Sequence, residues 1–350
     1  TTDIYTLSLH DALPISDAKP RWFGNMKQYQ LVFNAGALDL ADVNKIPAIN
    51  PLTGFITDCA TSFWTSDSGT YWQNVAVKPN PAGACTATAF NKFSDSPDGP
   101  QVEKGAVAEV VRKGNNPPAT DTTPTYAVNR NVYTLSSTST LTPFNATSSG
   151  LSQPVVDFTL GKDVNDENAN KNTTETRPSL HGDVIHSRPL PLNYGGATGV
   201  VVYYGANDGT LRAVEASTGK ELWAFIAPEH FSKLQRLKDQ VPLVSYPNLP
   251  AGLTPTPTAK DYFFDGSVGA FQDLTNTRVW IYPTMRRGGR TIYAFDVANP
   301  AVPVFKWKIG CPHAADDIGC TSGTSGMGQT WSTPIPALVK GYSKIGRAHV

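Results

Sequence analysis

Charge is scarce and evenly split in this sequence. Among 350 residues there are 29 Lys and Arg against 29 Asp and Glu, 17% charged in all. No Lys/Arg run exceeds two residues, so the basic footprint that grips a nucleic-acid backbone is missing and nucleic acid is not an expected partner. Long apolar runs are missing too: no stretch approaches the ~18 residues that a membrane span requires. Cysteine is limited to Cys59, Cys85, Cys311 and Cys320, none of them in a C-x-x-C pair. A zinc site would want closer spacing or nearby imidazoles, and His313 beside Cys311 is the one candidate. Two loop-stapling disulfides are expected instead, Cys59–Cys85 and Cys311–Cys320, each closing a short loop in an oxidising compartment. Four free buried thiols are the alternative.

Turn formers and aromatics are plentiful: 29 Gly and 28 Pro, with 15 Phe, 13 Tyr and 7 Trp to supply a core. That balance points to an all-β chain. In "VVYYGANDGTLRAVEASTGKELWAF" the apolar residues alternate, Val200, Val202 and Tyr204 on one face and Val201 and Tyr203 on the other. Asn207-Asp208-Gly209 then supplies a tight hairpin turn, because Asp tolerates positive φ and Gly adopts it freely. A second turn is read at Thr218-Gly219. At least three antiparallel strands result, and the stretch resembles the repeat of quinoprotein propellers.

Self-similarity extends this. "AINPLTG" matches "AVEASTG", "TIYAFD" matches "TLRAVE", and "HSRPLP" matches "WSTPIP", a recurrence that points to blades of a propeller with long inserted loops. The polar stretches Lys113–Thr125 and Ser136–Ser152 are expected to be exposed loops. One short helix is expected in "APEHFSKLQRLKD", with Pro228 in its first turn and Phe231, Leu234 and Leu237 on one face. Thr6–Ser16 and Lys344–Val350 read as translated adaptor DNA, which removes His10 and His349 from consideration. The expected division is a non-native start (1–20), a partial propeller (21–343) and a non-native end (344–350).

Candidate sites are few. Asp163, Asn165 and Glu167 stand at alternate positions like the opening of a calcium loop, but position 6 is Asn168 rather than Gly and position 12 is Thr174. They form a weak calcium candidate, with a solvated polar linker the favoured reading. Asp208 and Glu215 lie in or beside turns, where capping and solvation account for them. His181 and His186 bracket Asp183, and a cluster bonding its own backbone is the expected role. "GTSGMG" lacks a nucleophile elbow. No catalytic or cofactor-binding residue is expected.

The segments "GDVIHSRPLP", "VVYYGANDGTLRAVEASTGKELWAFIAPEHFSKL" and "GMGQTWSTPIPALV", supported by "RWFGNMKQYQL", "AINPLTGF" and "LTPFN", resemble the C-terminal propeller of PilC/PilY-type proteins. The resemblance spans about Arg21 to Tyr342. It implies a degenerate quinoprotein-like β-propeller without enzymatic activity, exported to the cell surface, outer membrane or pilus tip of a Gram-negative bacterium. It implies pilus extension and adhesion, with minor pilin or tip components and host or surface ligands as partners. Calcium regulation of twitching is implied for the whole protein through a loop downstream of "TWSTP", not for residues here. The alternatives are a pyrroloquinoline-quinone-dependent dehydrogenase, whose funnel ligands and adjacent cysteine pair are not found, and an outer-membrane assembly scaffold.

Overall fold

The computed structural model describes residues 3–8, 18–34, 36–75, 91–114 and 130–337. Strands dominate. β1 (Asp3–Ser8), β2 (Asn25–Asn34) and β3 (Ala37–Ala41) make a small antiparallel sheet. A second sheet has the order β5-β4-β9-β8-β7-β6, from β4 (Val132–Leu135), β5 (Leu141–Pro143), β6 (Leu190–Gly195), β7 (Gly199–Gly205), β8 (Thr210–Glu215) and β9 (Glu221–Ile226). β6 to β9 form an up-and-down meander, and β4 adds to it in parallel with β9. A third sheet repeats the meander with β10 (Val268–Gln272), β11 (Val279–Pro283), β12 (Arg290–Asp296) and β13 (Val304–Cys311).

The double alternation read in β7 has a physical counterpart, because both of its faces are covered. Val201 and Tyr203 join Leu211, Ala213, Trp223 and Phe225 in a core shared with Ile281, Tyr293 and Phe295 of the third sheet. Val202, Tyr204 and Val214 face the other way, onto Met26 of β2 and Val107, Val110 and Val111 of α1 (Ala106–Arg112). Two four-stranded meanders are therefore stacked face to face, with β2 and α1 covering the first. Each large side chain fully buried this way contributes ~1.5–3 kcal/mol.

The turns supply close approach. The Asn207–Gly209 turn connects β7 to β8, with Gly209 at φ +106°. A Cβ on Gly205 would lie 1.9 Å from the Phe264 carbonyl oxygen, so only glycine lets β7 end against the chain entering the third sheet. The turn before β9 runs through Ala216–Thr218 to Gly219.

Helix content corrects the expectation of a single helix. The expected one is present as a 3-10 turn (Pro228–His230) running into α4 (Phe231–Asp239), with Leu234 and Leu237 packed beside Ile226 and Phe263. Besides α1 there are α2 (Ala146–Ser149) and α3 (Gln153–Leu160). Ser136–Ser152, read as an exposed loop, holds β5 and α2. The reason is local chemistry: Asn145 and Ser148 form a reciprocal cap, so residues with a loop composition close one helical turn. α1 escaped notice because it is buried on all sides, Glu109 and Arg112 included, and shows no polar stripe. Of the expected Lys113–Thr125 loop, residues 115–125 lie outside the described residues. No helix among the described residues is long and apolar enough to cross a membrane.

Candidate functional site at the meeting of three loops

Three loops converge where the meanders abut: Leu180–Ser187 before β6, the Asn207–Gly209 turn, and Lys260–Ser267 before β10. Asn207 is the hub. Its side-chain amide donates to Asp183 Oδ2 at 2.7 Å and, more weakly, to Asp265 Oδ1 at 3.4 Å, while its Oδ1 accepts the Phe263 backbone N–H at 3.1 Å. Asp183, fully buried, also accepts from Lys260 Nζ at 3.0 Å. Asp265 closes the set by pairing with His186 Nδ1 at 2.7 Å. Burial pushes the Asp265 carboxyl upward, an effect opposed by His186.

The neighbouring residue opens a second, drier network. Asp208 accepts the Gly182 N–H at 2.8 Å and the Thr210 hydroxyl at 2.6 Å, and it pairs with Arg212. Arg212 also pairs with Glu221, which receives a two-pronged contact from Arg130 at 2.7 and 3.0 Å. Burial alone would raise both carboxyls, but Arg212 for Asp208, and Arg130 with Arg212 for Glu221, hold them below their ordinary range. His181 stacks on Tyr204 and contacts its hydroxyl at 2.8 Å. Burial, with Arg212 adding to it, brings the His181 pKa down to about 3, so the ring is neutral.

Two readings from the sequence change here. Asp208 is not a solvated turn residue: its carboxylate is an anchor for a buried arginine, because the turn folds back onto the Gly182 backbone. The 181–186 cluster bonds its own backbone only through His181 Nδ1 and the Gly182 carbonyl; Asp183 and His186 reach other loops. Lys260 and Asp265 were missed, since a partner 77 or 79 positions away leaves no local spacing signal. Glu215 does keep a turn role, accepting from the Thr218 hydroxyl.

Asp163, Asn165 and Glu167 point to separate partners. The buried Asp163 carboxylate accepts the Glu167 backbone N–H, Asn165 donates to the Lys238 carbonyl, and Glu167 pairs with Arg21. Burial raises the Asp163 pKa to about 6. Glu175 is bound by the side-chain amides of Asn168 and Asn170. Cys311 and Cys320 are joined in a disulfide with Cα atoms 4.1 Å apart. Cys59 is also disulfide-bonded, and Cys85 lies outside the described residues.

The geometry is that of a locked junction, its acidic and imidazole groups engaged by protein donors and acceptors. Comparison with known proteins gives it a setting. No family model and no solved structure matches the chain. A type IV pilus biogenesis factor PilY1 homolog of Xylella fastidiosa is 30% identical over 188 residues, covering 46% of this chain and 13% of that protein. The type IV pilus biogenesis factor PilY1 of Pseudomonas aeruginosa strain UCBPP-PA14 is 27% identical over 207 residues, 52% of this chain and 15% of that protein. Its counterpart in strain PAO1 is 27% identical over 173 residues, 42% and 14% respectively. The chain thus spans a small part of the length of these relatives, and over about half of its own length it is similar to PilY1 type IV pilus biogenesis factors.

Proposed function

We propose that this chain is the propeller part of a type IV pilus biogenesis factor and tip adhesin that works at the cell surface without catalysis. In this reading the stacked meanders are blades of a degenerate quinoprotein-like β-propeller. Its partners are minor pilin or tip components and host or surface ligands, and calcium acts through other parts of the whole protein. The observation that carries the reading is the 30% identity to a PilY1 homolog across 188 residues. The junction supports it: Asp183, Asn207, Asp208, Asp265 and Arg212 are spent on holding loops together, which suits a scaffold.

The test is an exchange. The matching segment of Pseudomonas aeruginosa PilY1 is replaced by residues 21–337 of this chain in a strain lacking its own copy. Sheared surface pili and twitching zones are expected to return. A chimera present at normal level in the envelope without surface pili would overturn the reading. The enzymatic alternative is tested by adding pyrroloquinoline quinone and calcium to the purified chain: dye reduction is expected to stay at background, and turnover abolished by Asp265→Asn would reverse the assignment.

A further inference from the structure

Beside the junction runs an unbroken alternation of aromatic ring and cation. Lys260 Nζ lies 4.2 Å from the Trp22 ring centroid and 5.7 Å from that of Tyr262. The Arg287 guanidinium is 5.4 Å from Tyr262 and 5.8 Å from Trp331, and Arg286 follows at 4.6 Å on Trp331. These side chains come from four separate segments, so the ribbon is a product of the fold. Trp331 is 50% exposed, Arg287 is exposed, and the others are part-buried.

Three features mark the ribbon as a site. First, the local acids leave the ribbon's two arginines unpaired: Asp183 pairs with Lys260, the ribbon's third cation, Asp261 with Arg236 and Asp265 with His186. Neither Arg286 nor Arg287 is ion-paired among the described residues, and the buried Nε of Arg286 has no hydrogen-bond partner. Second, Arg286 sits at φ +48°, a left-handed conformation that is costly for a long side chain and is held by Thr330, whose hydroxyl accepts the Met285 N–H at 2.9 Å. Third, Arg287 Nη1 donates to Tyr262 Oη at 3.2 Å, which fixes the guanidinium with donors to spare.

We infer that this ribbon binds an acidic saccharide, a short chain of sugars bearing ring carboxylates. Guanidinium donors match a carboxylate in a two-pronged geometry, and the half-exposed Trp331 indole, with the part-buried Tyr262 beside it, offers a flat apolar surface to the C–H face of a sugar. A nucleic acid suits it less well. Only two cations are free, where phosphate recognition recruits many, and the neutral chain supplies no long-range positive field. The ribbon's chemistry does not depend on the pilus assignment, and the two experiments fail separately.

Trigalacturonic acid is titrated into the full chain by calorimetry at low salt, against its methyl ester and against a dT oligonucleotide. Saturable binding of the acid is expected, with at least tenfold weaker binding of the ester. Arg287→Ala and Trp331→Ala, both at exposed positions, should each weaken it at least tenfold while leaving the unfolding midpoint unchanged, and Arg287→Lys should restore part of the loss. Equal binding of acid and ester, no binding of the acid, indifference to Arg287→Ala, or tighter binding of the oligonucleotide would each overturn the inference.

Discussion

The two stacked meanders share a strand order and a repeat, yet fill one repeat position with opposite chemistry. Aligning Thr210–Glu215 with Thr291–Asp296 places Arg212 opposite Tyr293 in the repeat. Arg212 lies on the face shared with Tyr204 and Val214, toward α1 and β2, and is fully buried between Asp208 and Glu221. Tyr293 faces the first meander, edge-on to Phe225 and stacked on Phe295, with its hydroxyl donated to Glu229. The repeat thus dictates where the strands run, and the layer each face meets decides what fills the position. Between sheets of one hydrophobic pattern, an aromatic core suffices. Against α1 and β2, the first meander uses buried charge to tie down two loops.

The largest effect should come from breaking that asymmetry. Arg212→Met takes from Asp208 its ion-pair partner, leaving the Gly182 and Thr210 hydrogen bonds, and from Glu221 one of two arginines, and leaving a buried charge unpaired costs ~3–5 kcal/mol. Tyr293→Phe removes one hydrogen bond to a charged group, about 1.5–3 kcal/mol. The lower end is expected, because Lys308 still holds Glu229 at 2.8 Å. Urea unfolding of the two variants should rank them in that order, and equal losses would show that the buried network carries no more than the aromatic one.

Next in size is the disulfide at the end of the second meander. Closing a loop across 9 positions is worth about 2–3 kcal/mol on the chain-entropy account. The Cys311→Ser, Cys320→Ser double variant should lose that much in thermal unfolding. An unchanged midpoint would mean that Arg290, which binds the Asp316 carbonyl at 2.6 Å and the Asp317 carboxylate at 2.6 Å, holds the loop without the bridge.

Much of this molecule was legible in the sequence, and unevenly so. β7, β8 and β9 announced themselves because both faces alternate and each turn carries glycine. The meander of β10 to β13 was visible through "TIYAFD" alone. What stayed hidden was the content of the polar positions. A charged residue within a strand, such as Arg212, reads as solvent-facing until a further layer is known to cover it, and Asn207 reads as a turn former whether or not its side chain spans two loops. The basic turn Arg286-Arg287-Gly288 could have been noticed from its charge. Its pairing with Trp331 rests on a bridge between Arg286 and Thr330, 44 positions apart, and no spacing rule reaches that far.

A smaller effect separates the meanders by pH. The first has the neutral, buried His181 on its outer face, while β10 to β13 contain no histidine. Because the folded-state pKa of His181 is depressed, to about 3, its contribution is complete above the unfolded value near 6.5 and is lost as pH falls toward 3. His230, also buried and depressed, adds in the same direction. Below about pH 4 the depressed carboxyls Asp208 and Glu221 add a further loss. The raised carboxyls of Asp163 and Asp265 act in the opposite sense, since they bind protons more readily in the folded state, so the imidazole contribution is read as a difference. Measured at pH 7.5, 6 and 5, the unfolding free energy of the native chain should fall with acid relative to that of His181→Gln, and parallel profiles would show that His181 contributes nothing to the pH dependence.

The smallest expected effect concerns calcium at Asp163–Glu167, a stretch that belongs to neither meander. Calcium takes 6–8 oxygen ligands, and its affinity follows their charge and rigidity. Here Asp163 caps the Glu167 N–H, Asn165 is turned to Lys238 and Glu167 to Arg21, so three would-be ligands must each give up a protein partner before an ion gains them. Affinity is expected to be no tighter than about millimolar. At 1 mM calcium such a site stabilises the fold by only about 0.4 kcal/mol, well under the change produced at Arg212. Calorimetry on this chain should show no micromolar binding. If micromolar binding appears and Asp163→Ala abolishes it, the loop rearranges around the ion, and the polar insert before the first meander becomes a calcium-responsive element in its own right.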